Sequence, residues 1–465
     1  MNATYGVQRG ARKRVTRWLA ALTVGALGLG AVAADGAAAA DPTGSAAGVP
    51  LTDGSLYNVV DQIGARSLWT QGYTGQGVNV AIIDTGVSPA PALQGADKVV
   101  AMVDLSGESG DPATRFLDTY GHGTHLAGII AGRDPGSNPA LAAAHPEWFL
   151  GVAPGAGIVS VKVAGRNGAV DVSQVIAGID WVVQHAPQLN IRVLNLSYGT
   201  DSTQPYTIDP LAFAVERAWK AGIVVVTAVG NDGKAARELS MPARDPYVIA
   251  VSAAEQKNKK WKVPAWASSG DTVRSPDLAA PGASIVSLRT PGSFADVEHP
   301  EGFVSPTLFK GSGSSQAAAV VSGAAAVLLS ARPTLTPDQV KRLLTATANG
   351  KAITPRAVKF SGSGLLDVAK AATTATPQAT QNWPMSTGLG SLEASRGSAH
   401  LLINGTVLQG EVTILGTPWN GASWAGASWA GASWAGASWA GASWAGASWA
   451  GASWAGASWA MATWA

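Results

Sequence analysis

Apolar residues follow three rhythms along this chain. From Val78 to Ile83 they run almost unbroken and mostly β-branched, ending at Asp84 and a glycine. Such a run predicts a strand buried on both faces, as in parallel sheets. Runs of the same kind predict strands at 158–163, 193–197, 222–229 and 247–253. Between them, 172–185 and 210–221 carry apolar residues at helical spacing, which predicts amphipathic helices. The third rhythm is nearly continuous: from Gln316 to Leu329 almost every residue is small or apolar. That predicts a helix passing through a core, preceded by a tight turn at Gly311 and Gly313. Strand and helix alternate over about 200 residues, which argues for a three-layer α/β domain around a mostly parallel sheet.

The two ends break this pattern. Arg12, Lys13, Arg14 and Arg17 precede an apolar run at 18–34, and Ala38, Ala39 and Ala40 precede Asp41 and Pro42. This is the layout of a signal peptide over 1–40, and it predicts export to the cell exterior. No other stretch is expected to cross a bilayer. At the other end, Gly-Ala-Ser-Trp-Ala repeats eight times from Gly421 to Ala460, and tryptophan recurs every five residues from Trp419 to Trp464. A period of five puts successive indoles on opposite faces of a strand and turns each by about 140° on a helix, so neither gives one apolar face. The tail is expected to be a flexible or self-associating segment, binding wall polymer, glycan or another copy, or else an extension with no specific partner.

Composition narrows the middle. Charged residues are 13% of the chain, against about 25% in ordinary soluble domains. The net charge of +2 gives no ground for nucleic-acid binding. Cysteine is absent, which excludes disulfides, thiolate metal sites and a cysteine nucleophile.

Candidate chemistry sits where the rhythms end. Asp84 closes its strand at the edge where open α/β sheets bind ligands, although a lone aspartate there also reads as a turn former. His122 and His125 stand three apart in a glycine-rich, small-residue segment. Such a pair can share a helix face and hold metal, but no carboxylate or HExxH pattern completes a site, so no metal is assigned and His125 reads as a structural residue. Ser315 falls in the first turn of the apolar helix, where unpaired N–H groups and the helix dipole favour an oxyanion. It also reads as a plain N-cap. Asn231 lies in Gly230-Asn231-Asp232-Gly233, ordinary turn chemistry by itself.

Taken together in order, the motifs Ala81-Ile82-Ile83-Asp84-Thr85-Gly86, Gly121-His122-Gly123-Thr124-His125-Leu126-Ala127-Gly128, Gly151-Val152-Ala153-Pro154-Gly155, Asn195-Leu196-Ser197-Tyr198-Gly199, Gly230-Asn231, Leu278-Ala279-Ala280-Pro281-Gly282 and Gly313-Ser314-Ser315 make the chain similar to the subtilisin-like serine proteases. The chain order Asp, His, Ser is that of subtilisin. The resemblance implies a serine endopeptidase with Ser315 as nucleophile, His122 as general base and then acid, and Asp84 orienting the imidazole. It implies an oxyanion hole from the Asn231 amide and the Ser315 N–H. It further implies an extended substrate held between Gly168, Ala169 and Val170 on one side and Ser197, Tyr198 and Gly199 on the other. Asp232 and Arg237 would lie near the specificity pocket, and their opposite charges leave the preferred side chain open.

Departures and boundaries complete the expectation. Gln316-Ala317-Ala318-Ala319 stands where the family usually has Met-Ala-Ser-Pro, which predicts changed packing beside Ser315. The chemistry needs no cofactor, and the long, Pro/Ala-rich 133–150 segment leaves a structural calcium possible but unassigned. Only about thirty residues, 41–72, separate the predicted cleavage from the peptidase domain at 73–370. That is below the roughly 40 residues at which unassisted domains stop standing alone, so folding and latency are expected to be managed without the relatives' N-terminal pro-region. Thr336 and Pro337 predict a capped helix near the domain's end. Residues 371–400 read as a linker and 401–420 as a short β segment around Asn404 and Gly405. Polypeptides are the expected substrates. The rival reading is a non-catalytic or self-processing surface protein whose tail carries the main function.

Overall fold

The structure, a computed structural model, describes residues 51–421 apart from Ala236, Arg237, Thr272, Arg356 and Asn404, together with 453–454. The predicted signal segment, nearly all of the repeat tail, Arg237 and Asn404 lie outside these residues.

Runs of β-branched residues fold as the central sheet, because only a strand with neighbours on both edges and layers on both faces can bury them. Its strands are β1 (Asn79–Asp84), β2 (Val99–Asp104), β3 (Gly157–Lys162), β4 (Ile191–Leu196), β5 (Val224–Ala228), β6 (Ile249–Lys257), β7 (Lys260–Lys262) and β8 (Leu278–Pro281). The order is β2-β3-β1-β4-β5-β6-β7, with β8 also on β6. Every pairing is parallel except the β6–β7 hairpin. The chain winds from β1 outward to β2 and back to β3, then crosses to β4 on the other side of β1. Asp84 therefore ends the strand at which the order reverses, the place where such sheets open a crevice.

Two short helices, α1 (Leu56–Gln62) and α2 (Ala65–Trp69), precede the sheet. They are not a separate leader to the domain, because Val59, Ile63 and Trp69 are buried in the main core, and the Trp69 indole donates to the Val152 carbonyl at 3.1 Å. The peptidase fold thus begins ahead of residue 73. Helices α3 (His122–Ala131), α4 (Val172–Leu189) and α5 (Pro210–Lys220) follow, then the single-turn α6 (Phe294–Glu298), the long α7 (Ser314–Ala331) and α8 (Pro337–Thr347). Helix α3 packs on α7, and α4 on α5. Strands β1, β4 and β5 touch members of both pairs, so the pairs cover opposite faces of the sheet. Caps fix the starts: Asp171 with Gln174 boxes α4, Asp209 caps α5, and Thr336 with Gln339 boxes α8 behind Pro337.

Helix α7 is the buried rod its composition predicts. By length and composition it would cross a bilayer, with a mean hydropathy of 1.4, which corrects the reading that only 18–34 is that apolar, yet it is 89% buried inside the protein. The turn ahead of it also differs from expectation. Gly311 closes a strand (Leu308–Gly311) and Gly313 is extended at φ 172°, so no left-handed glycine turn is used. Glycine is needed further along: a Cβ on Gly323 would lie 2.6 Å from Val152 Cβ.

The 371–400 stretch is not a linker. Ser386 donates its N–H to both Glu216 carboxylate oxygens at 2.9 Å, and Leu392, Ser395 and Arg396 are buried. Polar side chains bind it to distant parts of the domain, so its Ala/Thr/Gln composition conceals its anchors. The expected β segment is present as Leu401–Ile403 paired with Thr406–Val407.

Gly323→Val is expected to destabilise the domain by about 1–3 kcal/mol through overpacking against Val152, read as a lower urea midpoint with an unchanged slope.

Candidate active site

Elements from four parts of the chain meet at the carboxyl edge of the sheet. Strand β1 delivers Asp84 and α3 begins at His122. The His122 Nδ1 lies 2.9 Å and 3.0 Å from the two Asp84 oxygens. Both side chains are 1% exposed. The approach requires glycine at 123, where a Cβ would sit 2.1 Å from the Gly86 carbonyl oxygen.

Ser315 occupies the first turn of α7, one residue past Ser314. It is buried, and its Oγ has no hydrogen-bond partner among the described residues. Ser314 stitches this turn to the loop after β5: its N–H donates to Asn231 Oδ1 at 2.9 Å, and its hydroxyl lies 3.2 Å from both Gly230 N and Gly230 O. Asn231 is thereby held alongside the turn that carries Ser315. Helix geometry leaves the first N–H groups of α7 without intrahelical acceptors, and the dipole adds positive potential there.

The two expected substrate edges leave the ends of β3 and β4, the strands flanking β1. Gly168, Ala169 and Val170 form one, with Gly168 in the left-handed region at φ 73°. Ser197, Tyr198 and Gly199 form the other. Its Ser197 hydroxyl donates to the Ser315 carbonyl at 3.5 Å and accepts from Asn195 at 3.1 Å, and Asn195 in turn accepts from Ser322 of α7 at 2.9 Å. This edge and the α7 turn are thus tied by side chains.

Residues 75–388 match the model of the Subtilase family. The chain belongs to that family. Serine protease AprX of Bacillus subtilis (strain 168) is 36% identical to it over 286 residues, covering 59% of this chain and 62% of AprX. Subtilisin E of the same organism is 33% identical over 322 residues, 67% of this chain and 70% of the relative. Subtilisin Savinase of Lederbergia lenta is 33% identical over 317 residues, 68% and 97%. Fervidolysin from Fervidobacterium pennivorans, a keratinolytic enzyme related to subtilisin, shares the fold with a TM-score of 0.54 at 27% identity, over 69% of this chain and 46% of its own. The chain spans less than two thirds of AprX and under half of fervidolysin. The layered, mostly parallel sheet is the subtilisin-like fold.

Several supports of this subtilase site escape a reading of the sequence. Asp118 is buried ahead of α3 and accepts the N–H groups of Gly121 at 2.6 Å and Thr124 at 2.7 Å. Thr85 Oγ1 lies 2.7 Å from Asp118 and 3.1 Å from Asp84, and it accepts the Gly123 N–H at 3.0 Å. Burial raises the Asp118 pKa against the lowering effect of those bonds. An acid just ahead of a helix is the general cap signal, and it was the clue available. Gln316, the departure from the family pattern, is buried, with neither amide atom bonded among the described residues. Asp232 donates its N–H to Ser268 Oγ at 3.0 Å, a bond to a residue 36 positions along the chain.

Electrostatics separate the two histidines. Burial opposes a charged His122, but the Asp84 charge and hydrogen bond outweigh it, and the pKa lies above the ordinary 6.5. Burial, then the neighbouring His122, push His125 down to about 3, with main-chain bonds at Phe309 and Ile285 opposing. His125 is neutral at physiological pH. Among the described residues, no cluster of three or more His, Asp or Glu could hold a metal ion.

A raised histidine pKa stabilises the fold fully below the unfolded value, and that stability is lost as pH rises through the folded value. In an NMR titration of the Ser315→Ala protein, His122 is expected to titrate above 6.5. Asp84→Asn is expected to bring it down, since burial then acts without its main opponent.

Proposed function

We propose that this subtilase is an exported serine endopeptidase using Asp84, His122 and Ser315. The observation carrying the reading is the buried His122–Asp84 pair at the switch of the sheet; the packing of α3, which begins at His122, on α7, which carries Ser315, supports the third member. Ser315 Oγ attacks the peptide carbonyl carbon while His122 Nε2 takes its proton. Asp84 holds the ring and stabilises the imidazolium. The carbonyl oxygen, now negative, accepts from the Asn231 amide and the Ser315 N–H. His122 returns the proton to the leaving amine and leaves an acyl-enzyme. Water, deprotonated by His122, then attacks the ester, and Ser315 is regenerated. No cofactor enters these steps.

Substrate lies extended between Gly168-Ala169-Val170 and Ser197-Tyr198-Gly199. Main-chain pairing of that kind accepts many sequences, which suits broad polypeptide substrates. The 1–40 segment directs export, and the tryptophan repeat of the tail serves retention at a glycan or wall surface; the recurrence of Trp every five residues supports that second role.

Ser315→Ala is expected to abolish both labelling by a serine-directed phosphonate and cleavage of casein; a variant that still cleaves would remove Ser315 from the mechanism. Asn231→Ala is expected to lower kcat by about 100- to 1000-fold with KM little changed, the size known for this donor in subtilisin. The acid limb of kcat/KM is expected above pH 6.5, because His122 must be neutral to accept a proton. Truncation at Pro418 is expected to release active enzyme from the cell surface; unchanged partition between surface and medium would count against the tail's role.

A further inference from the structure

The two edge segments are joined from behind by chain that lies past the family match, which stops at residue 388. A short helix, Leu392–Arg396, hangs on the chain just past the Ser197–Gly199 edge. The Thr203 N–H donates to the Ala394 carbonyl at 3.1 Å, and the Thr200 hydroxyl, next to Gly199, donates to the Ser395 carbonyl at 2.6 Å. The very next side chain crosses to the other edge. Arg396 Nε donates to Asp171 Oδ2 at 2.6 Å, and Asp171 directly follows Val170 and caps α4. Both side chains are 0% exposed.

The remaining donors of Arg396 are used as well. They go to the Gly410 carbonyl at 2.7 Å, to the Val412 carbonyl and to Glu393 at 3.1 Å. Around them, Leu401 and Ile414 pack on Ala169 itself, and the Ile414 N–H donates to Ser173 Oγ at 3.1 Å. One dipeptide, Ser395-Arg396, therefore bridges the segments that would pair with substrate on either side.

A buried ion pair is an expensive way to attach a surface strap, since apolar side chains of equal volume hold as well or better. What a guanidinium adds is direction: a rigid planar fork fixes both the distance and the orientation of what it binds. We propose that Arg396 is a positioning residue that, through Asp171 and with Ser395 on Thr200, sets the separation of the two substrate-pairing edges. This rests on the endopeptidase reading. An extended peptide has to meet both edges at once, so a small change in their spacing is felt along several residues upstream of the scissile bond. A substrate that reaches only the scissile bond does not span the clamped part. Misplacement by about 1 Å is enough to change rates by up to about a hundredfold.

The test uses the full chain as wild type, Arg396→Met, Arg396→Lys and Thr200→Val. For each, kcat/KM is measured on a peptide with four residues upstream of the scissile bond and on a single-residue ester ending in the same amino acid, beside a thermal melt. The ratio of peptide to ester efficiency is expected to fall about tenfold in Arg396→Met, mainly through KM. Thr200→Val should fall less, and Arg396→Lys, which keeps the charge without the fork, should recover only part. Equal loss on both substrates, tracking the melting temperature, would make Arg396 a structural residue and overturn the clamp. If Arg396→Met does not fold, Thr200→Val decides, and an unchanged ratio there overturns the proposal. Wild-type protein that neither turns over the ester nor takes the phosphonate would sink the endopeptidase reading itself, an outcome distinct from a lost ratio.

Discussion

The bond between His122 and Asp84 is the constraint around which the rest is arranged. Two ionisable groups are held almost entirely out of water, where an unsupported charge is costly. The protein meets that cost with directed N–H and O–H groups. The Thr85 N–H donates to Asp84 at 2.8 Å, and Asp118 gathers the N–H groups that open α3. The ring of Tyr120, two residues before His122, stacks on Phe294 of α6 at 5.4 Å. Remove one of these and the imidazole still has a carboxylate nearby, but less to keep its ring in plane with it.

Core and chemistry share the same parts. Helix α7 is both a rod buried over nearly its whole length and the bearer of Ser315, so its small residues serve close packing and the placing of a hydroxyl at once. The Ser322–Asn195–Ser197 chain carries that placement from the helix interior to the 197–199 segment. Polar groups this deep are tolerated when each has a partner, and they then favour one arrangement over its near neighbours. A serine in the middle of an apolar helix is in this way part of the site's geometry.

Much of this was legible in the chain because it is written in local patterns. Unbroken β-branched runs gave β1, β3, β4, β5 and β6, and the capped or periodic stretches gave α4, α5, α7 and α8. Strand β2 was not visible: it is an edge strand with mixed exposure, and its Met102 faces out. Its short companions β7 and β8 have too few residues to show a period. Asp84, His122, Asn231 and Ser315 stood out by motif, whereas Asp118 and Ser314 look like ordinary turn and cap residues until their partners are known. The strap after α8 failed for a different reason. Ser386, Ser395 and Arg396 bind groups about 170 to 225 residues earlier in the chain, as with Glu216, Asp209 and Asp171, and no window of neighbouring residues records such a pairing.

The Arg396–Asp171 contact has a consequence in time. A polypeptide is made from its amino end, and a domain generally folds as a unit. Asp171 and both edges are therefore on hand well before the guanidinium that joins them, which arrives about eighty residues after Ser315. Until Arg396 is made, Ser315 is already in the chain while the 168–170 and 197–199 segments are not yet fastened to each other.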